Sequence, residues 1–551
     1  MTPDQLADAV LTAAKAVLAD HGLDPRALPA AKVERPKNPE HGDYASTIAL
    51  QAAKRSGLPA RELATAIAGK LAGDAAIGSV EVAGPGFLNI RLTASSAGVT
   101  ADIIVRQGSR YGHSAALGGS RINVEFVSAN PTGPIHLGGT RWAAVGDALA
   151  RILRAQGAAV ATEYYFNDAG TQIDQFGRSL LAAARQEPVP EDGYAGEYIG
   201  EIAQALTDRY PQILTGPASD ALDLVRTAGV ELMFAEIKTS LSDFGVHFDS
   251  YFSERDLHEH GDLDRALARL EELGKVYQAG EATWIRTSDN GDDKDRVFRR
   301  GNGQFTYFAA DCAYYLDKRV RGFDKVMIVL GADHHGYVGR MRAVAACFGD
   351  DPDRTLEILI GQLVSLISDG RPVRMSKRAG TVITIDDLVG ALGVDAARYA
   401  LARYSLDSPI DLDLDLWTRR STDNPVYYVQ YAHARIASLM RNSAGLGFTL
   451  GEDYDASLLG GDREQTLLRA LADFPGTLAS AAELRQPHRI ARYLEDLSGS
   501  YHRFHDTCRV LPRAGEEFDE TGRARLWLAR ASQIVLANGL DLLGVSAPDR
   551  L

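Results

Sequence analysis

Cysteine is scarce in this chain. Cys312, Cys347 and Cys508 stand far apart, and no Cys-x-x-Cys pair or Cys/His cluster has metal-ligand spacing. That excludes a zinc finger or ribbon. An odd, scattered set also argues against a disulfide-stapled secreted framework, so the three read as buried free thiols in a reducing compartment. Long hydrophobic runs are missing as well. No stretch of about 18 apolar residues occurs, and no membrane-spanning helix is expected. The opening MTPDQLADAVLTAAKAVLADHG has the spacing of an amphipathic helix, without the basic start or small-residue cleavage site of a signal peptide. A cytoplasmic protein is expected. Lysine is sparse and ends at Lys377, while arginine is plentiful; abundant Ala and Gly make GC-rich coding the simplest source of that bias. Excess positive charge is lacking: the formal net charge is −14. Overall charge therefore drives no promiscuous binding of polyanions, although a local basic surface suffices for selective RNA contacts.

What is present suits several folding units. A length of 551 residues with 45% hydrophobic and 24% charged residues predicts about three or four globular units with sizeable cores. Residues 1–112 read as a small α/β unit. Helical periodicity covers 6–19 and 61–71, and VEVAGPGFLNIRL (80–92) has hairpin punctuation. GHSAALGGS (112–120) reads as a linker. A strand, RINVEFVS, then leads into a Gly- and Pro-rich turn. A helix follows from about 138 to 155, with Trp142, Val145, Leu149 and Ile152 at helical spacing, and then a strand-like run to Phe166. Strand, glycine-rich turn, helix, strand opens a parallel nucleotide-binding sheet. Residues from about 170 to 300 read as an insertion, and strand and helix signals of the sheet return over 305–384. From 421 to 551 the pattern is helical almost throughout, an all-α bundle. No repeat of fixed period is present.

Three motifs carry chemistry. NPTGPIHLGGTR (130–141) joins a strand to a helix start, where unpaired N–H groups and the helix dipole favour a phosphate. Gly138 and Gly139 let a ligand approach the backbone, and His136 can donate to a phosphate oxygen. An ordinary loop would read the same in isolation. RMSKRAG (374–380) places Met375, Ser376 and Lys377 in a loop whose lysine can neutralise a triphosphate as its α–β bond breaks. GADHHGY (331–337) follows an apolar strand, so it stands where open parallel sheets bind ligands. Asp333 suits a ribose hydroxyl, and His334 and His335 suit adenine or phosphate. No third ligand makes the histidine pair a metal site.

Together, HLGG and RMSKR resemble the HIGH and KMSKS motifs of class I aminoacyl-tRNA synthetases. Both depart from the pattern: Gly139 replaces the second histidine, and Arg374 and Arg378 replace the outer Lys and Ser. Further matches point to the arginyl-tRNA synthetases. EFVSAN (125–130) resembles their strand-end motif, which implies that Glu125 holds substrate and Asn130 contacts its amino acid backbone. Tyr307 and Asp311 resemble a Tyr-x-x-x-Asp pair that packs on and binds a guanidinium; a planar, permanent cation pairs best with an aligned carboxylate. His136 falls between the arginine and ATP sites. NPVYYVQYAHARIASL (424–439) and GLDLLGVSAPDRL (539–551) resemble the family's anticodon-binding domain. Tyr427, Tyr428, Tyr431 and Arg435 are its candidate tRNA contacts, although tyrosines on a helix are also ordinary core residues. HGDYAS (41–46) and GFLNI (86–90) resemble its N-terminal domain, where Asn89 is either a base contact or a strand-end asparagine.

The resemblance implies a Rossmann-like α/β catalytic domain at 113–420 with an inserted domain, a small tRNA-contacting α/β domain at 1–112, and an anticodon-binding helical bundle at 421–551. It also implies ATP with Mg2+, L-arginine and the cognate tRNA as substrates, with no structural metal. Arginine would be activated as its adenylate and passed to the terminal adenosine of tRNA, by a monomer that needs bound tRNA for activation. No editing site is expected, because a pocket built for a charged fork rejects most competitors. The other reading is a class I paralogue that binds RNA without aminoacylation; it should have lost Lys377, His136 or Asp333, and all three stand.

Overall fold

Hydrophobic runs bounded by glycine and proline become the strands of a central sheet. In the computed structural model, which describes residues 1–36, 38–168, 170–373 and 383–551, the strands are β1 (Arg121–Glu125), β2 (Ala159–Phe166), β3 (Ser250–Ser253), β4 (Lys325–Gly331) and β5 (Leu356–Gly361). Every neighbouring pair is parallel, in the order β5-β4-β1-β2-β3. Crossovers lead one way from β1 to β2 and the other way to β4, so a crevice opens at the carboxyl ends of β1 and β4, the switch point where such sheets bind ligands.

Helix α1 (Leu137–Ala155) connects β1 to β2 and buries nearly its whole length. Its packing depends on two missing side chains. A Cβ on Gly146 would fall 2.3 Å from the Phe126 ring, and one on Gly361 at the end of β5 would fall 1.9 Å from Trp142. Helix α2 (Tyr307–Val320) precedes β4, and α3 (Tyr337–Cys347) follows it.

Two boundaries differ from the sequence expectation. The stretch taken as an insertion, 170–300, contains β3, which pairs with β2 and completes the central sheet. Its four residues, SYFS, follow the long Ala218–Asp243 helix and carry no apolar run to mark them. A separate antiparallel sheet forms from Val276–Ala279, Ala282–Ile285 and Arg296–Arg299. The second difference is the Ala94–Gln107 helix, grouped by sequence with the N-terminal unit. Its buried face (Ala97, Ala101, Ile104) joins the large core shared with the C-terminal helices. A Cβ on Gly98 would fall 2.4 Å from Ala456 O.

The remaining N-terminal elements have their own core, in which Leu6, Val10, Leu63 and Ile67 of the helices pack on Leu88 and Ile90 of a four-stranded antiparallel sheet. The C-terminal region is helical: α4 (Pro425–Gly445), α5 (His488–Thr507) and α6 (Glu520–Leu542) pack with Asp462–Ala472 and Phe474–Leu484. Among the described residues, no helix is long and apolar enough to cross a membrane.

Candidate active site

The crevice begins where β1 stops. Val127 and Ser128 both have left-handed backbones, with φ of 68° and 46°. Such conformations cost about 1–3 kcal/mol each and persist only where surroundings enforce them. Here β2 enforces them: the Tyr165 N–H donates to Ser128 Oγ at 3.2 Å, and Tyr164 Oη donates to Ala129 O at 2.8 Å. The strained turn aims Asn130 across the crevice, where Nδ2 donates to Gln172 Oε1 at 2.7 Å and Oδ1 accepts from the Asn167 N–H at 3.1 Å.

His136 is the N-cap of α1. Its Nδ1 accepts the Gly139 N–H at 3.2 Å, which leaves Nε2 as the protonated nitrogen of the neutral ring. The residue is exposed to the crevice. Surrounding protein mass lowers its pKa, and the nearby Asp333 carboxylate opposes that only in part. A neutral donor therefore stands at the positive end of α1. Gly139 has a packing reason to be small, since a Cβ there would fall 2.9 Å from Ile135 Cγ2. The missing second histidine is thus not a simple gap in the motif. Asp333, His334 and His335 are all exposed on the loop after β4, with Asp333 Oδ2 3.4 Å from His334 Nε2.

Met375, Ser376 and Lys377 lie outside the described residues, as do Arg374 and Arg378. The chain on their far side is held against the His136 loop. The Leu137 N–H donates to Ile383 O, and the Ile385 N–H to Ile135 O, each at 2.9 Å.

Helix α2 presents one continuous polar face: Tyr307, Asp311, Tyr314, Lys318 and Arg321 recur at intervals of four and three. Tyr307 is 69% exposed at the helix start. One turn deeper, Asp311 Oδ1 accepts from Tyr337 Oη at 2.5 Å. Burial raises the Asp311 carboxyl to about 7, with Glu254 and Glu125 adding to the rise while Tyr337 and Arg340 oppose it. Still deeper, Lys318 is only 1% exposed. It donates to Glu125 Oε2 at 2.5 Å and Asn123 Oδ1 at 2.8 Å, and stands 3.3 Å from Glu163. Glu163 also takes Arg321 at 2.5 Å and Tyr314 Oη at 2.6 Å. Burial alone would raise the Glu163 carboxyl, but Lys318 and Arg321 outweigh it and hold the group at about 2.

The structure thus brings Glu125, Asn130, His136 and Asp311 to one crevice, but Glu125 is already ion-paired. Sequence reasoning missed Lys318, Tyr337, Tyr165 and Glu254. Glu254 stands immediately after β3 and accepts from Tyr165 Oη at 2.5 Å. Its sequence signal, a carboxylate at a strand end, was hidden because β3 itself was not visible.

On α4, Tyr427 and Tyr431 stack with centroids 6.1 Å apart and planes at 6°, and Tyr431 stacks on His502 of α5 at 5.7 Å. Tyr428 lies tilted against the same histidine at 5.0 Å. Arg435 stands 6.0 Å over Tyr431 and 3.3 Å from Asp506. The result is a partly exposed aromatic ladder with a cation at its end. Asn89 is 8% exposed, in the middle strand of the N-terminal hairpin, between Ala45 and Glu81. A hollow of about 910 Å3, away from the crevice, lies at the seam of the N-terminal and helical regions and includes Arg35, Tyr44 and Asp473.

A parallel sheet in this order, with a histidine-capped helix and buried carboxyls at its switch point, is the arrangement expected of a class I aminoacyl-tRNA synthetase. The chain belongs to the arginyl-tRNA synthetase family: it is 58% identical over 554 residues to an arginine--tRNA ligase of Kineococcus radiotolerans, covering 100% of both. Residues 4–92 match the arginyl tRNA synthetase N terminal domain, and residues 429–551 match the DALR anticodon binding domain. A putative arginyl tRNA synthetase from Campylobacter jejuni superimposes with a TM-score of 0.76 at 32% identity, covering 84% of this chain and 100% of that one. The Thermus thermophilus arginyl-tRNA synthetase has the same fold, with a TM-score of 0.75 at 22% identity and 100% of both chains covered.

Proposed function

We propose that this protein is an arginine–tRNA ligase. It activates L-arginine with ATP to arginyl-adenylate and transfers the arginyl group to the 3′-terminal adenosine of the cognate tRNA, releasing pyrophosphate and AMP. The observation that carries the reading is the Asp311 carboxyl, held by Tyr337 in a slot that burial and two glutamates make hostile to negative charge. A guanidinium relieves that hostility by supplying a permanent positive charge in a planar fork.

In this reading Tyr307 covers the guanidinium from the solvent side, and Glu254 offers a second carboxylate. Glu125, its charge met by Lys318, contributes an acceptor rather than a free charge. Asn130 holds the amino acid backbone. The arginine carboxylate attacks the α-phosphorus, and pyrophosphate leaves. Nε2 of His136, with the α1 N-terminus, donates to the phosphate oxygens near Gly138 and Gly139. Asp333 takes the ribose, and His334 and His335 take adenine or phosphate. Met375, Ser376 and Lys377 bear on the triphosphate and the departing pyrophosphate. Ile383, six residues beyond Lys377 in the chain, is anchored beside His136. ATP enters as its magnesium complex, as substrate. Catalysis is by position and charge, without a covalent enzyme intermediate.

The aromatic ladder of Tyr427, Tyr431 and Arg435 receives unstacked anticodon bases. Asn89, largely buried, contacts RNA only through its exposed edge.

ATP–pyrophosphate exchange with arginine, with and without tRNA, tests the reading. Exchange is expected with arginine and tRNA together. Absence of exchange in both conditions overturns the ligase and favours an RNA-binding paralogue. Equal exchange without tRNA overturns the tRNA requirement alone.

A further inference from the structure

We infer that Tyr337 is a positioning residue for arginine recognition: its phenol keeps the Asp311 carboxylate aimed and charged for the guanidinium, and ties that carboxylate to the nucleotide loop. The inference rests on the reading of Asp311 as the guanidinium partner.

Tyr337 is the first residue of α3, directly after the loop that carries Asp333, His334 and His335. Its hydroxyl reaches back to α2 and donates to Asp311 Oδ1 at 2.5 Å. A single hydrogen bond therefore joins the element that faces ATP to the one that faces the arginine side chain. Among the described residues, Tyr337 is the donor that reaches this carboxyl. The phenol stays protonated, because burial and Asp311 itself push its pKa far up; it acts as a fixed donor throughout the physiological range.

The other groups around Asp311 pull in opposite directions. Arg340 of α3 favours the charged form, and its guanidinium lies 5.6 Å from the Tyr337 ring centroid. Glu254 after β3 and Glu125 at the end of β1 disfavour that form. Tyr165 of β2 donates to Glu254 rather than to Asp311, and Cys312, next to Asp311 on α2, is a buried thiol held protonated. Removing the phenol oxygen leaves both glutamates in place and one fewer stabilising partner. The carboxyl then keeps its proton to higher pH, and arginine must displace that proton to bind.

Titration calorimetry of L-arginine into the full chain, from about pH 6 to 9, reads this directly. For the unmodified chain, affinity is expected to fall as pH drops through about 7. Tyr337→Phe is expected to move that midpoint up by about one unit, weakening arginine binding on the order of tenfold near neutrality and by less than about threefold at the alkaline end. 3-Fluorotyrosine at position 337, a stronger donor in the same ring, should move the midpoint down; it also serves if the Phe variant fails to fold. An unchanged midpoint in either variant, or equal weakening at every pH, overturns the inference. Asp311→Asn separates the two claims. It should bind weakly and without pH dependence, whereas unchanged affinity overturns the guanidinium reading itself. Weak binding by Asp311→Asn with an unshifted Tyr337 variant overturns the role of Tyr337 alone.

Discussion

At the residue scale, the site is organised around the buried Asp311 carboxyl, which a neutral phenol, Tyr337, holds by a hydrogen bond. The Asp311 carboxyl sits near 7 in the free protein, and a bound guanidinium requires it ionised. Binding therefore releases a proton below that value. The arginine KM should be flat above about pH 8 and rise by up to about tenfold per unit as pH falls through 7. Steady-state exchange across that range checks this, and a KM rising toward alkaline pH would contradict the sign. Glu125 behaves differently because Lys318 neutralises it at 2.5 Å, so removing its charge exposes a buried lysine rather than simply deleting a substrate contact. On α4, Tyr431→Ala takes away the middle rung of the aromatic ladder. Stacking on one base is worth about 1–3 kcal/mol, so the tRNA KM should rise roughly tenfold while the arginine KM stays put; aminoacylation kinetics with each substrate varied separate the two.

At the element scale, α1 and α2 do most of the positioning, and glycine decides how closely α1 packs. Gly361→Ala would drive a methyl into Trp142, with 1.9 Å between them before relaxation. Overpacking of this kind costs about 1–3 kcal/mol, and a lowered melting temperature is expected. Helix α2 was legible as a helical face from Tyr307 and Asp311, since residues four apart meet on one side. What that face meets was not legible. Lys318 and Arg321 fall at the right intervals, but their partners, Glu125 and Glu163, lie on strands 193 and 158 residues earlier in the chain. Strand β3 escaped for a related reason: four residues at the edge of the sheet, three of them only half-buried, leave no periodic signature of their own.

At the scale of the whole molecule, the helical region and the catalytic sheet are joined by a buried arginine. Arg398 is fully buried; it pairs with Asp147 on α1, donates to Phe244 O at 3.0 Å, and reaches Leu543 O just beyond α6 at 3.2 Å. Arg398→Ala removes the donor from two carbonyls and leaves Asp147 with Arg151 as its remaining partner at 2.8 Å, a loss of about 3 kcal/mol, to be read by denaturant unfolding. Asp147 lies on the helix that His136 caps, so the clamp links the end of α6 to α1 through one side chain. The N-terminal unit docks in a similar way. Arg35 donates to Asp473 and Arg469 to Asp43, each at 2.6 Å.

The sequence by itself determined the succession of strands and helices around 121–166, the α/β and all-α character of the three regions, and the family. Local patterning, turn residues and motif spacing are properties of neighbouring positions, so one chain read in order contains them. Only the tertiary structure decided which groups face one another: Lys318 under Glu125, Tyr337 on Asp311, Glu254 near Asp311, and Arg398 between α1 and the end of α6. It also decided that the Ala94–Gln107 helix serves the C-terminal core. Pairings between separate elements, from 26 residues apart for Tyr337 and Asp311 to 251 for Arg398 and Asp147, depend on how those elements pack, and burial, which turns such a pairing into a shifted carboxyl or a rigid clamp, exists only once they have packed.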